Sequence, residues 1–446
     1  MKPSPALTSL VLTSAIRSSA ILLPLLLLLP VACDRATPTP PAGDSATAPT
    51  ATPVVAAPVV ATPWSLPQGV APAAQPDLVR APDGSLLLAW IETDGDAHAL
   101  KLARYAKGAW GEVREIARGD DWFVNWADTP HLAVTADGAL WAHWLKKSAK
   151  APYAYDVALV RSGDDGRTWS QPVLVNDDGT PTEHGFVSLW PAARDRVGVA
   201  WLDGRNSGAG HGGHGGHEGH GGGAMTLRAA LFDAALKRAD EREIDTMTCD
   251  CCQTDVALGG RGPLLVYRDR TPDEIRDIAI TRLQDGAWTP AHPVHADGWK
   301  MPACPVNGPA VAADGNAALV AWYNAAGDMP ALKLARSDDA GDTFAAPLTV
   351  DQGMPVQGRV DLAVDANAAW TLWTREDAGV QSLHLARFAP DLGRELQRVE
   401  VARLQGRGRA TGFAQLALGD DGAYVVWTDV VDGKPRLQGQ HYRLAP

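Results

Sequence analysis

The sequence predicts an all-β fold: one seven-bladed β-propeller built from four-stranded antiparallel blades. Three observations carry this expectation. First, apolar strands ending in an aromatic recur as "GSLLLAW" (Trp90), "GALWAHW" (Trp144), "DRVGVAW" (Trp201), "GPLLVY" (Tyr267), "AALVAW" (Trp322), "AAWTLW" (Trp373) and "GAYVVW" (Trp427). Their spacing is about fifty to fifty-seven residues, apart from one interval of 66 that contains a Gly/His insertion. Second, the flanking segments repeat as well. A turn such as "APDG", "TADG" or "GDDG" precedes the aromatic strand, and an alternating strand with a basic end follows, as in "LKLAR", "VALVR", "IAITR" and "LHLAR". A fourth strand then opens with an aromatic, as in "TWSQPVLV" and "TFAAPLTV". Third, the last repeat stops after three strands at "QGQHYRLAP", and its missing strand is expected at the other end of the folded region, in "PWSLPQGV" from Pro63. Such a closing strand removes the free edge of the ring. Because the strand-two aromatics and strand-three arginines recur in nearly every blade, they are expected to pack and to brace turns.

Residues 1–33, with Lys2, Arg17, an apolar run and "PVAC", have the layout of a bacterial export signal. They resemble a lipoprotein signal, which implies lipid attachment at Cys33, and Asp34 directly after it resembles an inner-membrane retention signal. Residues 34–62 are rich in Ala, Pro and Thr and are expected to form a semi-extended tether. Residues 63–446 are expected to form the propeller as a single domain. The chain is therefore placed on the periplasmic side of the cell envelope, lipid-anchored, and as a monomer. A net charge of -12 and the lack of a basic stripe exclude nucleic acid as a partner. No nucleotide cofactor is expected.

Within the repeats, "SGDDGRTW" (Ser162 to Trp169) matches the pattern S-x-D-x-G-x-T-W, and "SDDAGDTF" (Ser337 to Phe344) nearly does. These turns resemble the Asp-box (BNR) repeats of sialidases and related propellers. The resemblance implies a turn between strands three and four, away from the usual binding face. It also implies, as the alternative architecture, six blades carrying an arginine triad, a Tyr nucleophile paired with Glu, and an Asp acid. The repeat count departs from that pattern, and the first blade opens "AQPDLVRAPDG" without the Arg-Ile-Pro of many sialidases. Tyr267 and Tyr424 fall in strand two as core residues. The weak catalytic candidates are Asp203 and Arg205 in "WLDGRNS" and Asp269 and Arg276 in "YRDRTPDEIRDIAITR".

Propellers bind at the channel mouth, where the crossovers between blades meet the loops joining strands two and three. "CDCCQTDVAL" occupies the crossover from the third to the fourth blade and "CPVNGPAVA" the next one. Cys249, Cys251, Cys252 and Cys304 thus fall at equivalent points of adjacent blades. Two chemistries are open to them. Exported thiols usually oxidise, and a cross-blade disulfide to Cys304 is then the best-placed bridge. Alternatively, the four are thiolate ligands for copper or zinc. The insertion "GAGHGGHGGHEGHGGG" offers His211, His214, His217 and His220 on the same face, which favours metal. Asp128, His131, His184, Gln253, Asp255, Asn307 and Arg359 are expected to line the mouth. Three functions follow in order: handling of a thiophilic metal, copper first, with a metal ion or another periplasmic protein as partner; a sialidase-like glycoside hydrolase; and a protein-interaction scaffold.

Overall fold

Seven antiparallel sheets make up the folded body, six of them following chain order and the seventh completed by a strand from the other end of the chain. The structure is a computed structural model and describes residues 58–69, 71–207 and 223–444. The first blade comprises Ala73–Arg80, Leu86–Asp94, Ala97–Ala106 and Arg114–Gly119, and the second Leu132–Val134, Leu140–Lys147, Tyr155–Ser162 and Val173–Leu174. The third comprises His184–Ala193, Arg196–Asp203, Thr226–Phe232 and Arg238–Asp245, and the fourth Asp255–Gly259, Gly262–Arg268, Ile278–Gln284 and His292–Pro293. The fifth runs Ala310–Asp314, Ala317–Asn324, Ala331–Ser337 and Leu348–Gln352, and the sixth Val356–Val364, Ala369–Asp377, Val380–Phe388 and Glu395–Arg403. The seventh has Gln415–Gly419, Gly422–Val431, Lys434–Leu444 and the closing strand Val59–Pro63. The innermost strands of neighbouring blades touch all the way round, including the first with the seventh. Seven blades are therefore present, as the repeats predict, rather than the six of a sialidase.

Alternation along each strand buries one face against the preceding blade and one against the next, giving seven apolar clusters among the described residues, one per interface. The strand-two aromatics are core: Trp90, Trp201, Trp322 and Trp373 are wholly buried. Their indole N–H groups find carboxylates, Trp201 on Asp203 at 2.7 Å and Trp373 on Asp351 at 2.7 Å.

Ring closure is as expected, with a shift in position. The closing strand lies at Val59–Pro63, where Val59 pairs with Leu444 and Pro63 with Gln440. Trp64 and the residues after it leave the sheet, and Trp64 turns into an aromatic cluster with Tyr105, Trp110 and Tyr424. The sequence favours the aromatic segment because it resembles the other fourth strands. The β-branched "VVATP" reaches Lys434–Leu444 first, so Val59–Thr62 belong to the ring rather than to the tether. The export signal, Cys33 and the tether up to residue 57 lie outside the described residues.

Both Asp boxes sit between strands three and four. Asp164 accepts from Thr168 N at 2.9 Å, Thr168 Oγ1 at 2.7 Å and Ser162 Oγ at 2.8 Å. Asp339 repeats this with Thr343 and Ser337. Hydrogen bonds from the threonine hold both carboxyls down at about 2.

Candidate metal centre

The chain leaves the third blade at Asp245 and enters the fourth at Asp255. Between them, Thr248 N donates to Met225 O at 2.9 Å and Cys249 N to Arg268 O at 3.1 Å. These bonds pin the crossover to both blades and turn its cysteines inward. Cys249, Cys251 and Cys252 are 1%, 6% and 2% exposed and pack with Phe186, Trp190, Met225 and Leu265. Their three Sγ atoms lie within 4.8 Å of one another, with Cys249 and Cys252 3.4 Å apart. The next crossover brings Asn307 N to 3.4 Å from Cys252 Sγ, and half-buried Cys304 packs on the same cluster. A Cβ on Gly308 would stand 2.2 Å from Gln253 O, so the two cysteine-bearing crossovers meet backbone to backbone where only glycine fits. All four thiols are free; the cross-blade bridge to Cys304 is not formed.

One of these sulfurs is set apart electrostatically. Burial by itself would push the Cys249 thiol up. Hydrogen bonds from Cys251 and Cys252, and the charges of Arg276 and Arg268, outweigh burial and hold it well below the usual thiol range. Arg276 Nη1 is 3.1 Å from Cys249 Sγ and is oriented from behind by Glu274 at 2.8 Å. Cys251 is pushed well up, first by its hydrogen bonds to Cys249, Cys252 and Cys304 and then by burial. Cys252 is pushed up by burial and by the Cys249 charge. The result is one sulfur biased toward the thiolate beside two biased toward the thiol.

Around the channel, buried carboxylates splice four of the seven blade junctions. Asp77 accepts from Leu132 N at 2.7 Å, Asp128 from Phe186 N at 2.7 Å, Asp255 from Val311 N at 2.7 Å and Asp361 from Leu416 N at 2.6 Å. His131 faces Asp77 at 2.9 Å, and its pKa is raised because Asp77, Asp255 and Asp128 together overcome burial. Burial lifts Asp128 and Asp361 to about 7 and Asp255 to about 6. The folded protein therefore holds protons that the unfolded chain, titrating near 4, has released. By linkage, stability falls as pH rises from about 4 through about 7. The melting temperature is expected to be lower at pH 8 than at pH 5, and Asp361→Asn to flatten the slope. A melting temperature that climbs over this interval would refute the assignment.

The remaining sequence candidates separate into groups. Gln253 spans the mouth, donating to Ala127 O at 2.7 Å and accepting from Gly308 N at 3.0 Å. Asn307 Oδ1 accepts from Arg359 N at 2.8 Å. Arg359 lies over Trp126 and Phe413, at 4.8 Å and 6.0 Å from the ring centroids, and burial lowers its pKa to about 10. Trp126 and Phe413 are mouth residues that the repeat comparison does not reveal, because they stand in irregular crossovers. His184 instead lies inside the third blade with Asp203 and Arg205, and Asp269 and Arg276 belong to the fourth. Asp203 is tied to Arg205 through both carboxylate oxygens at 2.7 Å, and burial raises Asp269 to about 6. The catalytic candidates thus form two separate pairs. His211, His214, His217 and His220 lie outside the described residues.

The features that a sialidase resemblance implies are present only in part. Tyr155 Oη is 2.7 Å from Glu183 Oε1 and 3.0 Å from Asp128 Oδ2. Tyr155 is, however, wholly buried, stacked on Phe123. Arg268 is spent on the carbonyls of Asn307, Arg276 and Tyr323, and Arg359 on Thr411 Oγ1 and Gly412 O. Neither the tyrosine nor these guanidiniums face solvent.

No protein-family model matches the chain, and no curated protein matches it. Among solved structures, it is similar to a protein of unknown function from Dyadobacter fermentans, with 13% identity over 88% of this chain and 100% of that one and a TM-score of 0.46. The polysaccharide lyase Uly1 matches with 9% identity, 86% and 92% coverage and a TM-score of 0.49. The NanB sialidase of Streptococcus pneumoniae matches with 9% identity, 80% and 83% coverage and a TM-score of 0.44. The structural neighbours thus include a sialidase and a polysaccharide lyase, at low identity.

Proposed function

We propose that the protein binds a thiophilic metal ion, Cu(I), at the cluster of Cys249, Cys251 and Cys252, as a lipid-anchored metal-handling protein of the cell envelope. The observation that supports this reading is the convergence of three buried sulfurs within 4.8 Å. Soft thiolates favour Cu(I) and zinc. The lowered pKa of Cys249 favours a cation beside its sulfur, and a monovalent ion leaves less charge to desolvate in a buried site. Cys304 is the nearest additional ligand. It lines a cleft of about 570 Å³ together with Trp299, Met301, Asn307, Tyr323 and Gln357. That cleft gives an ion, or the donor protein that carries it, a route to the buried sulfurs, with the Met301 thioether and the Cys304 thiol along its wall.

Thiols must ionise to ligate, so binding by the three sulfurs releases protons. Full-length protein purified anaerobically in detergent is expected to take up one tight Cu(I) with release of protons, read by competition with a chromophoric Cu(I) chelator and a pH indicator. Uptake that matches a cysteine-free variant would end the copper reading. Tighter retention of zinc than of Cu(I) would replace it with a structural zinc site.

A further inference from the structure

We infer that a second metal site of a different chemistry lies where the second blade meets the third, at the point where His184, Asp178 and Asp203 come together to bind a divalent ion of the zinc type. It is independent of the cysteine cluster. His184 starts the first strand of that blade, Asp203 ends its second, and Asp178 stands in the crossover that leads into it. Their nearest nitrogen and oxygen atoms all lie within 4.8 Å of one another.

The case rests on the two faces of the imidazole. His184 is wholly buried, and its Nδ1 is 3.1 Å from Tyr155 O. A carbonyl oxygen only accepts, so Nδ1 carries a proton, and the uncharged ring in that tautomer has a bare lone pair at Nε2. That lone pair meets Asp178 Oδ2 at 3.0 Å and Asp203 Oδ1 at 3.8 Å. Two lone pairs at 3.0 Å repel unless something positive stands between them. A proton on Nε2 is the simplest candidate, yet neither Nε2 nor Asp178 Oδ2 has a hydrogen-bond partner, short though their separation is. An in-plane N–H on this ring does not aim at Asp178. A metal ion on the in-plane Nε2 lone pair does not need the carboxylate oxygen to lie on that same line, because two ligands about 2.0–2.1 Å from a tetrahedral zinc stand about 3 Å apart at a bent N–Zn–O angle.

The surroundings fit that role. Asp178 is held from behind by Thr180, whose N–H donates to Oδ1 at 2.9 Å, while Oδ2 faces the imidazole with Arg205 Nη2 3.6 Å away on its other side. Asp203 keeps Trp201 Nε1 and Arg205 Nη2 on Oδ2, both at 2.7 Å. An ion on Oδ1 takes the place of the Arg205 Nε contact, and Arg205 retains Glu241 at 3.3 Å. One imidazole and two carboxylates form a nitrogen–oxygen set that suits zinc, whereas the cysteine cluster suits a softer ion. The Asp203–Arg205 pair, which reads in the sequence as a catalytic candidate, is on this view the wall of a cation site.

The test uses full-length protein in which His211, His214, His217 and His220 are changed to Ser, so that the insertion contributes no zinc ligands. After zinc loading and dialysis, metal analysis is expected to show about one zinc per chain more in this parent than in its His184→Gln derivative. Glutamine can still donate to Tyr155 O. Asp178→Asn serves as the second variant, and zinc is expected to raise the melting temperature of the parent but of neither derivative. Cu(I) uptake is expected to stay unchanged in both, which separates this site from the thiolate cluster. Equal zinc content in the parent and in folded His184→Gln, with the same thermal response, would overturn the site and leave His184 as the cation of a buried ion pair with Asp178.

Discussion

Replacing Cys252 with alanine is expected to weaken Cu(I) binding by about two to three orders of magnitude while the ring stays folded. Structural metal sites with four ligands bind with roughly 10–16 kcal/mol, so each ligand accounts for about 2.5–4 kcal/mol, or about 10²–10³ in affinity. Cys252 stands 3.4 Å from Cys249 and is 2% exposed, so no solvent ligand readily takes its place. The loss in stability should be small, about 1 kcal/mol for one buried apolar group. The measurements are Cu(I) affinity by chelator competition and melting temperature on the same preparation. A structural role for the cysteines predicts the reverse: loss of a disulfide costs about 2–5 kcal/mol and leaves copper binding unaltered. That pair of results would sink the metal reading.

Removing the closing strand is expected to produce the largest change in stability. A chain beginning at Trp64 loses the five backbone pairs that Val59–Pro63 make with the strand ending at Leu444. At about 1 kcal/mol per backbone pair, with about 2 kcal/mol for the buried Val59 side chain, the loss is roughly 7 kcal/mol. A folded body of this size unfolds with an entropy near 0.8 kcal/mol/K, so the melting temperature should fall by about 9 °C. The outer edge of the seventh blade would also be unpaired and prone to association. The comparison is with a chain beginning at Pro58, which keeps the strand. If the two chains melt together without added aggregation, the strand is dispensable to closure.

The cysteines were legible as a set because a repeat protein makes its departures visible. Cys249 and Cys304 stand at equivalent points of successive repeats, where the other blades carry turn and polar residues. What the sequence could not supply is their state. The lowered pKa of Cys249 depends in part on Arg276, 27 residues further along, reaching back across the loop to 3.1 Å. The same arginine reads in the sequence as a catalytic candidate. His184 is the converse case. Its position at the start of an inner strand points to the channel, but a register shift between Gly185 and Ser188 accompanies a side chain that lies inside the blade, against Asp178 and Asp203.

The sequence by itself determined the seven blades, their order and the fact that the ring is closed from the other end of the chain. Those features follow from a period of about fifty residues and from two-residue alternation within strands, which are local properties repeated often enough to outweigh any single exception. Tertiary structure decided the position of the closing strand, since Val59–Pro63 and Trp64–Gly69 both carry strand-like patterns and only pairing with Lys434–Leu444 chooses between them. It also decided which polar residues meet. The partners of Cys249, His184 and Arg359 come from other loops or other blades, and the distances that set their charge and hydrogen bonding arise only when the ring brings those crossovers together.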